Sequence, residues 1–261
     1  MSFYVGKPSH QSITSLDRTS GTSSNFTVKL PNWNAYNRFD RCCLLKANIP
    51  KSFYLIDNLH NTFTMTENGF TRTCTIPVGN YSFQSMRTAL LALLNTGSFV
   101  YSITANTLTS KYTFTVTNNV GQPTINFGSN RLSDILGFAD QMNTFSASTL
   151  TSNQVVRFQI ATGILVLMDR VENDNVLADI ASTIQDNTYI TYQATDIAAF
   201  GRPISKTTGD VIRITLVDSI DKEEILLNGL DISLTFLFYK ANNYDEFKIK
   251  SAIIDQMSQI N

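Results

Sequence analysis

Strict two-residue alternation of apolar and polar side chains, in short runs bounded by turn residues, restricts this chain's fold most. In residues 211–217, Ile212, Ile214 and Leu216 alternate with Arg213 and Thr215. In residues 231–240, Ile232, Leu234, Phe236 and Phe238 fall on one side, and residues 26–30 (FTVKL) repeat the pattern until Pro31 stops it. Successive strand side chains point to opposite faces, so each run predicts a strand with one core face and one wet face. Further strands are predicted at 41–48, 154–160, 164–171 and 188–194. Two hairpins are predicted as well. One joins 63–66 to 72–76 across Asn68-Gly69, the dipeptide that tolerates positive φ in a tight turn. The other joins 99–104 to 108–117 across Ala105-Asn106.

Helix is predicted over 82–95 (SFQSMRTALLALLN), where Ser82 can cap, Phe83, Met86, Leu90, Leu93 and Leu94 form a stripe, and Gly97 can end it. Residues 131–138 (RLSDILGF) read as one helical turn closed by Gly137, and 247–257 as a short amphipathic segment. A parallel α/β fold needs a helix between most strands, which this pattern lacks. The expected fold is all-β, a single jelly-roll antiparallel β-sandwich over 24–240 with one short inserted helix plugging an open end or flank. Residues 1–23 read as an extended N-terminal arm, free or laid along a neighbour, and 241–261 as a polar C-terminal tail.

Charged residues make up only 16% of the chain, and uncharged polar stretches such as 141–152 (QMNTFSASTLTS) fill the difference. Such surface can be covered by neighbours at small desolvation cost, which suits assembly. A net charge of -1 offers phosphates no attraction, so no direct nucleic-acid partner is expected. No apolar run approaches the roughly 20 residues of a membrane span, and residues 1–15 lack the apolar core of a secretory leader. Three cysteines, Cys42, Cys43 and Cys74, fit a reducing cytoplasm or nucleus better than a disulfide framework. The N-x-S/T matches at Asn25 and Asn80 are then read as chance.

Side chains that could carry chemistry are sparse. His10 lies in the arm, and His60 lies near Asp57 and Asn61, but no nucleophile and no G-x-S-x-G accompanies them. Cys42 and Cys43 are adjacent and point to opposite faces of a strand, and Cys74 has no partner at zinc-ligand spacing. Asp169, Glu172 and Asp174 form one acid cluster, and Asp218, Asp221, Glu223 and Glu224 another. Paired carboxylates can hydrolyse glycosides, or bind calcium, but both clusters are local and loop-borne. The single tryptophan, Trp33, accompanies neither, so both read as hydrated turns. Glycine-rich phosphate loops are missing. Hence no enzyme activity, no catalytic, cofactor-binding or metal residue, and no cofactor is expected.

Residues 76–95 read IPVGNYSFQSMRTALLALLN, the 102–117 hairpin follows, and RLSDILGF comes next. This order of I-P-x-G-x-Y-S, helix, hairpin and L-G-F element is similar to capsid proteins of virophages and polinton-like viruses. CCLLKANIPKSFYLI (42–56) and LNGLDISLTFLFYK (227–240) resemble their penton proteins, and the likeness spans 24–240. It implies a virion protein made in the host cytoplasm or nucleus, a homopentamer closing each vertex of an icosahedral capsid. The implied partners are a double jelly-roll major capsid protein and other minor capsid proteins. The length leaves no room for the extra outward domain of some relatives, so no receptor-binding role is expected from one. The alternatives are another minor capsid or cement protein with the same sandwich, or a lectin-like attachment protein. Residues 1–23 and 241–261 are expected to face the capsid interior or peripentonal subunits, and deleting either to spare the fold.

Overall fold

The computed structural model describes residues 9–30, 39–118, 121–158, 163–182, 188–205 and 210–240. The chain divides into two compact units, Met1–Ser52 with Ala161–Asn261, and Phe53–Ile160. In chain order the first stretch carries β1 (Ser9–Thr14), β2 (Arg18–Gly21), β3 (Asn25–Lys29) and β4 (Arg41–Pro50). The segment 53–160 carries β5 (Thr62–Glu67), β6 (Phe70–Thr75), α1 (Phe83–Leu94), β7 (Tyr101–Asn106), β8 (Lys111–Val116) and β9 (Thr124–Asn126). It continues with α2 (Asn130–Ile135), β10 (Met142–Thr144) and β11 (Thr149–Thr151). The chain then returns through β12 (Gly163–Met168), β13 (Val176–Ala181), β14 (Tyr189–Gln193), α3 (Ile197–Phe200), β15 (Arg202–Pro203), β16 (Val211–Asp218) and β17 (Ser233–Tyr239).

In the first unit one sheet runs β1-β17-β4-β14, with β15 also on β4, and the other runs β13-β12-β16-β3-β2. All these pairings are antiparallel. Counting β1, β3, β4, β12, β13, β14, β16 and β17 as strands one to eight gives sheets one-eight-three-six and two-seven-four-five. That is the double Greek-key order of a jelly roll. The alternation read in 211–217 is why β16 sits centrally: Ile212, Ile214 and Leu216 are fully buried while Arg213 is exposed. In β4 both faces are covered, with Cys42, Cys43 and Leu44 all buried. On one of those faces Cys43 packs with Leu237 and Tyr239 against Ile197 of α3, and the Tyr239 hydroxyl donates to Ile197 O at 3.2 Å.

The second unit has sheets β10-β9-β5-β6 and β11-β8-β7. Phe63, Met65, Ile103, Tyr112, Phe114, Ile125, Phe127 and Phe138 share one core with Met86, Leu90 and Leu94, the inner stripe of α1. The predicted Asn68-Gly69 hairpin forms, with Glu67 opposite Phe70 as its last pair.

Several expectations are corrected. The arm over 1–23 carries two strands joined by a 3-10 turn at Ser15–Asp17: β1 pairs with β17 from Ser9↔Phe238 to Thr14↔Ser233, and β2 pairs with β3. Its polar side chains hid this because only Ile13 of β1 is buried and backbone pairing makes the rest. Within the 24–240 range, residues 53–160 group as a compact unit of their own. The helix over 82–95 belongs to that unit's own core. Residues 154–158 form no strand; their amides reach Gly137 O, Ser110 O and Ile135 O instead. Residues 159 and 160, like 241–261 with its tail and amphipathic segment, lie outside the described residues. The second hairpin turns at 107–110, because Asn106 Oδ1 accepts from the amides of Leu108 and Thr109 at 3.0 and 3.1 Å.

Deleting residues 1–23 therefore removes two strands. We expect it to lower the thermal midpoint by about 10 °C or more, measured by differential scanning fluorimetry. An unchanged midpoint would contradict the ladder described.

Candidate functional site

Most of the candidates for chemistry are engaged in structural roles. Asp57 and His60 do come together: Nδ1 of His60 lies 2.9 Å from Asp57 Oδ1, and both side chains are largely buried. The same oxygen accepts from the amides of Leu59 and His60 at 2.9 and 3.0 Å, so Asp57 closes the turn that leads into β5. Its other oxygen lies 3.6 Å from Arg131 Nη1 at the start of α2. Burial alone raises the Asp57 pKa, but the His60 hydrogen bond, the nearby His60 and Arg131 charges and the Leu59 amide outweigh it and hold it below the ordinary value. The dyad thus ties the 57–60 turn to α2. His10 sits in β1 opposite Leu237, exposed.

All three thiols are free and buried. Burial, and then Cys43, pushes Cys42 up, while burial and Asp196 push Cys43 up to about 11. Cys74 is raised by burial against the opposing effect of Arg72, with Glu67 adding to the rise. Thiols held this way stay protonated and make poor nucleophiles and metal ligands.

The acid clusters are used in turns and ties. Asp169 Oδ1 accepts from the Arg213 amide at 3.0 Å and Asp174 Oδ1 from the Val176 amide at 3.0 Å. Asp218 and Asp221 accept from the amides of Ile220 and Glu223. Glu224 accepts from the Thr22 and Ser24 hydroxyls, both at 3.1 Å, and from Asn25 Nδ2 at 2.8 Å, fastening the turn before β3. Among the described residues no group of three His, Cys, Asp or Glu side chains could hold a metal ion.

Residues 76–95, 102–117 and 131–138 instead assemble the second unit. Ile56 and Gly79 exchange backbone hydrogen bonds at 3.1 and 3.0 Å, and Asn80 Oδ1 accepts from the Leu55 amide at 2.9 Å. Ser82 Oγ accepts from the Ser85 amide while the Ser82 amide donates to Ser85 Oγ, a reciprocal cap on α1. Phe83 stacks on Tyr112 at 4.6 Å, and the Tyr112 hydroxyl donates to Phe83 O at 2.5 Å. Phe138, turned inward after Gly137 (φ +79), meets Phe127 at 5.0 Å.

Sequence reasoning missed two features. The first is Arg72, which donates to Leu93 O at 3.0 Å and Leu94 O at 2.7 Å, capping α1 from β6. It also reaches the buried Glu67 at 3.3 Å, whose other oxygen accepts from the Ser98 amide at 3.0 Å. Gly97 lies close against this pair: a Cβ there would lie 2.3 Å from Glu67 Oε2 and 2.7 Å from Arg72 Nε, so the ion pair would have to shift to admit one. The second feature is the outer face of each sheet. On β5 and β6 it presents Thr62, Thr64, Thr66, Thr71, Thr73 and Thr75, paired across the strands, with Thr124 and Thr144 continuing it. The other sheet presents Ser102, Thr104, Thr113, Thr115, Thr149 and Thr151, with Lys111 at one end. The T-x-T repeats and the two hairpins are legible in the sequence, but the addition of β9, β10 and β11 to their edges is not.

No family model and no curated protein matches the chain. Among solved structures it is similar to the mavirus penton protein, with a TM-score of 0.41 and 13% identity, over 90% of this chain and 99% of that one.

Replacing Arg72 by Ala leaves Glu67 buried without its cation and the α1 carbonyls uncapped. A loss of about 3 kcal/mol in urea unfolding is expected, and a loss below 1 kcal/mol would show the pair to be incidental. Asp57→Asn tests the turn. A depressed carboxyl pKa contributes stability above its unfolded value of 3.8 that is lost as pH falls through the folded one. The variant should therefore be weaker by about 1–2 kcal/mol at pH 7, with a smaller deficit at pH 3. An equal deficit at both pH values would assign the loss to shape instead of charge.

Proposed function

We propose that this protein is a structural subunit of an icosahedral viral capsid, the penton, with five copies closing each vertex. The observation that carries the reading is the first unit's strand order, a complete single jelly roll, an architecture used by capsid proteins. It is supported by the resemblance of residues 42–56, 76–138 and 227–240 to virophage and polinton-like penton proteins. Residues 42–48 of the first of these stretches pair directly with 233–238 of the last, in β4 and β17. A single jelly roll per chain fits a fivefold ring better than the double jelly-roll major capsid protein, which would be its neighbour in the shell. Head-to-tail contacts between identical flanks close into a ring when the rotation suits. The protein would then belong to the virion, acting through packing alone.

Lectins share this architecture, and the second unit offers a separate surface for attachment. Mass determination and electron microscopy of the purified chain, together with a glycan array, separate the readings. Five-membered rings are expected. A stable monomer or trimer refutes the penton, and a monomer that binds glycans favours attachment.

A further inference from the structure

Asn-Gly occurs twice in the chain, at Asn68-Gly69 and Asn228-Gly229. The two copies have nearly the same backbone: φ is 50° and 51° at the asparagines, and 79° and 85° at the glycines. Both asparagines are exposed. In such a pair the glycine amide can attack the preceding side-chain carbonyl with no Cβ to hinder it. The side-chain tethers differ. Asn228 Nδ2, the atom that must leave, donates to Ser52 O at 2.5 Å. Ser52 Oγ in turn donates to Leu227 O at 2.7 Å, and the Leu230 amide donates to the same oxygen at 3.1 Å. Asn68 makes no side-chain hydrogen bond among the described residues, and it lies beyond the last ladder pair of the β5–β6 hairpin, next to the exposed Phe70.

We propose that Asn68 is a site of spontaneous deamidation and that Asn228, in the same backbone conformation, is protected by its tether. The Gly69 nitrogen loses its proton and bonds to Cγ of Asn68, the Cγ–Nδ2 bond breaks, and ammonia leaves. Water then opens the cyclic imide at one carbonyl to give Asp, or at the other to give isoaspartate. Either product adds one negative charge beside Glu67. The isoaspartate also adds a methylene to the main chain inside a two-residue turn, which displaces the Glu67↔Phe70 pair. The hairpin tip thus carries a chemical clock set by local opening.

The test is incubation of the folded full chain in mildly alkaline buffer, with the Asn68 and Asn228 peptides followed by mass spectrometry and isoaspartate resolved by chromatography. Deamidation at Asn68 is expected to outpace Asn228 by about tenfold or more in the folded chain. In concentrated urea, where the tether is gone, the two rates should agree within about threefold. Comparable rates in the folded chain, or a faster Asn228, overturn the proposal. So does a folded chain in which neither site reacts while both react in urea.

Discussion

The ladder in which β17 lies between β1 and β4 joins distant parts of the chain: Phe238 stands opposite both Ser9 and Cys42. The first sheet cannot exist until these partners meet, so the fold depends on backbone pairing across large sequence separations and not on local propensity. This dependence also makes room for an insertion. The chain leaves the jelly roll after β4 and re-enters at β12, and a connection's closure cost rises only with the logarithm of its length. An insert that folds on its own core, as residues 53–160 do, adds buried apolar surface of its own, which offsets the ordering of its backbone.

The legible parts of the fold were those where burial imposes a period. β16 and the first half of β17 alternate because one face of each is more deeply buried than the other, and the β5–β6 hairpin is marked by both its alternation and Asn68-Gly69. β1 (SHQSIT) and β2 (RTSG) bury almost nothing and exist because a neighbour offers free amides and carbonyls, a long-range fact that composition does not carry. The division into units was hidden for a related reason. Ser52-Phe53 interrupts no pattern, and no linker-like change in composition marks the crossing. The apolar run at 154–158 misled in the opposite direction, since its amides serve the carbonyls of Ser110, Ile135 and Gly137 and make no ladder.

The candidate chemistry was legible as residue types but not as roles. Asp57 with His60, Asp169, Asp218 and Glu224 are all carboxylates whose lone pairs are taken by amides, hydroxyls or an imidazole nearby. The low charge of the chain has a matching spatial reading. Two sheet faces of one unit are surfaced in threonine, whose β-branched side chain favours the strand while its hydroxyl pairs across it, as Thr66 does with Thr71 at 2.8 Å and Thr113 with Thr151 at 3.0 Å. Hydroxyls satisfied by one another present less unmet polarity to a covering surface than charged side chains would.

Threonine-faced sheets with open edges invite further strands to add on, and the helix counters this at one edge. In β7 the backbone groups of Tyr101 and Ile103 point away from β8. Asn95 at the end of α1 closes on Tyr101 from both sides, accepting its amide at 2.7 Å and donating to its carbonyl at 3.1 Å. One turn pair further along, Arg87 Nε donates to Ile103 O at 2.6 Å. Two helix side chains therefore occupy the hydrogen-bonding positions that an adjacent strand would take. This gives α1 a second role besides its apolar stripe, and explains why a helix placed in a β-rich chain carries Arg87 and Asn95 on the side that meets β7. The Arg72 cap holds the carbonyls of Leu93 and Leu94 at the helix end that presents Asn95, so the ion pair of one sheet and the covered edge of the other meet at the same helix end.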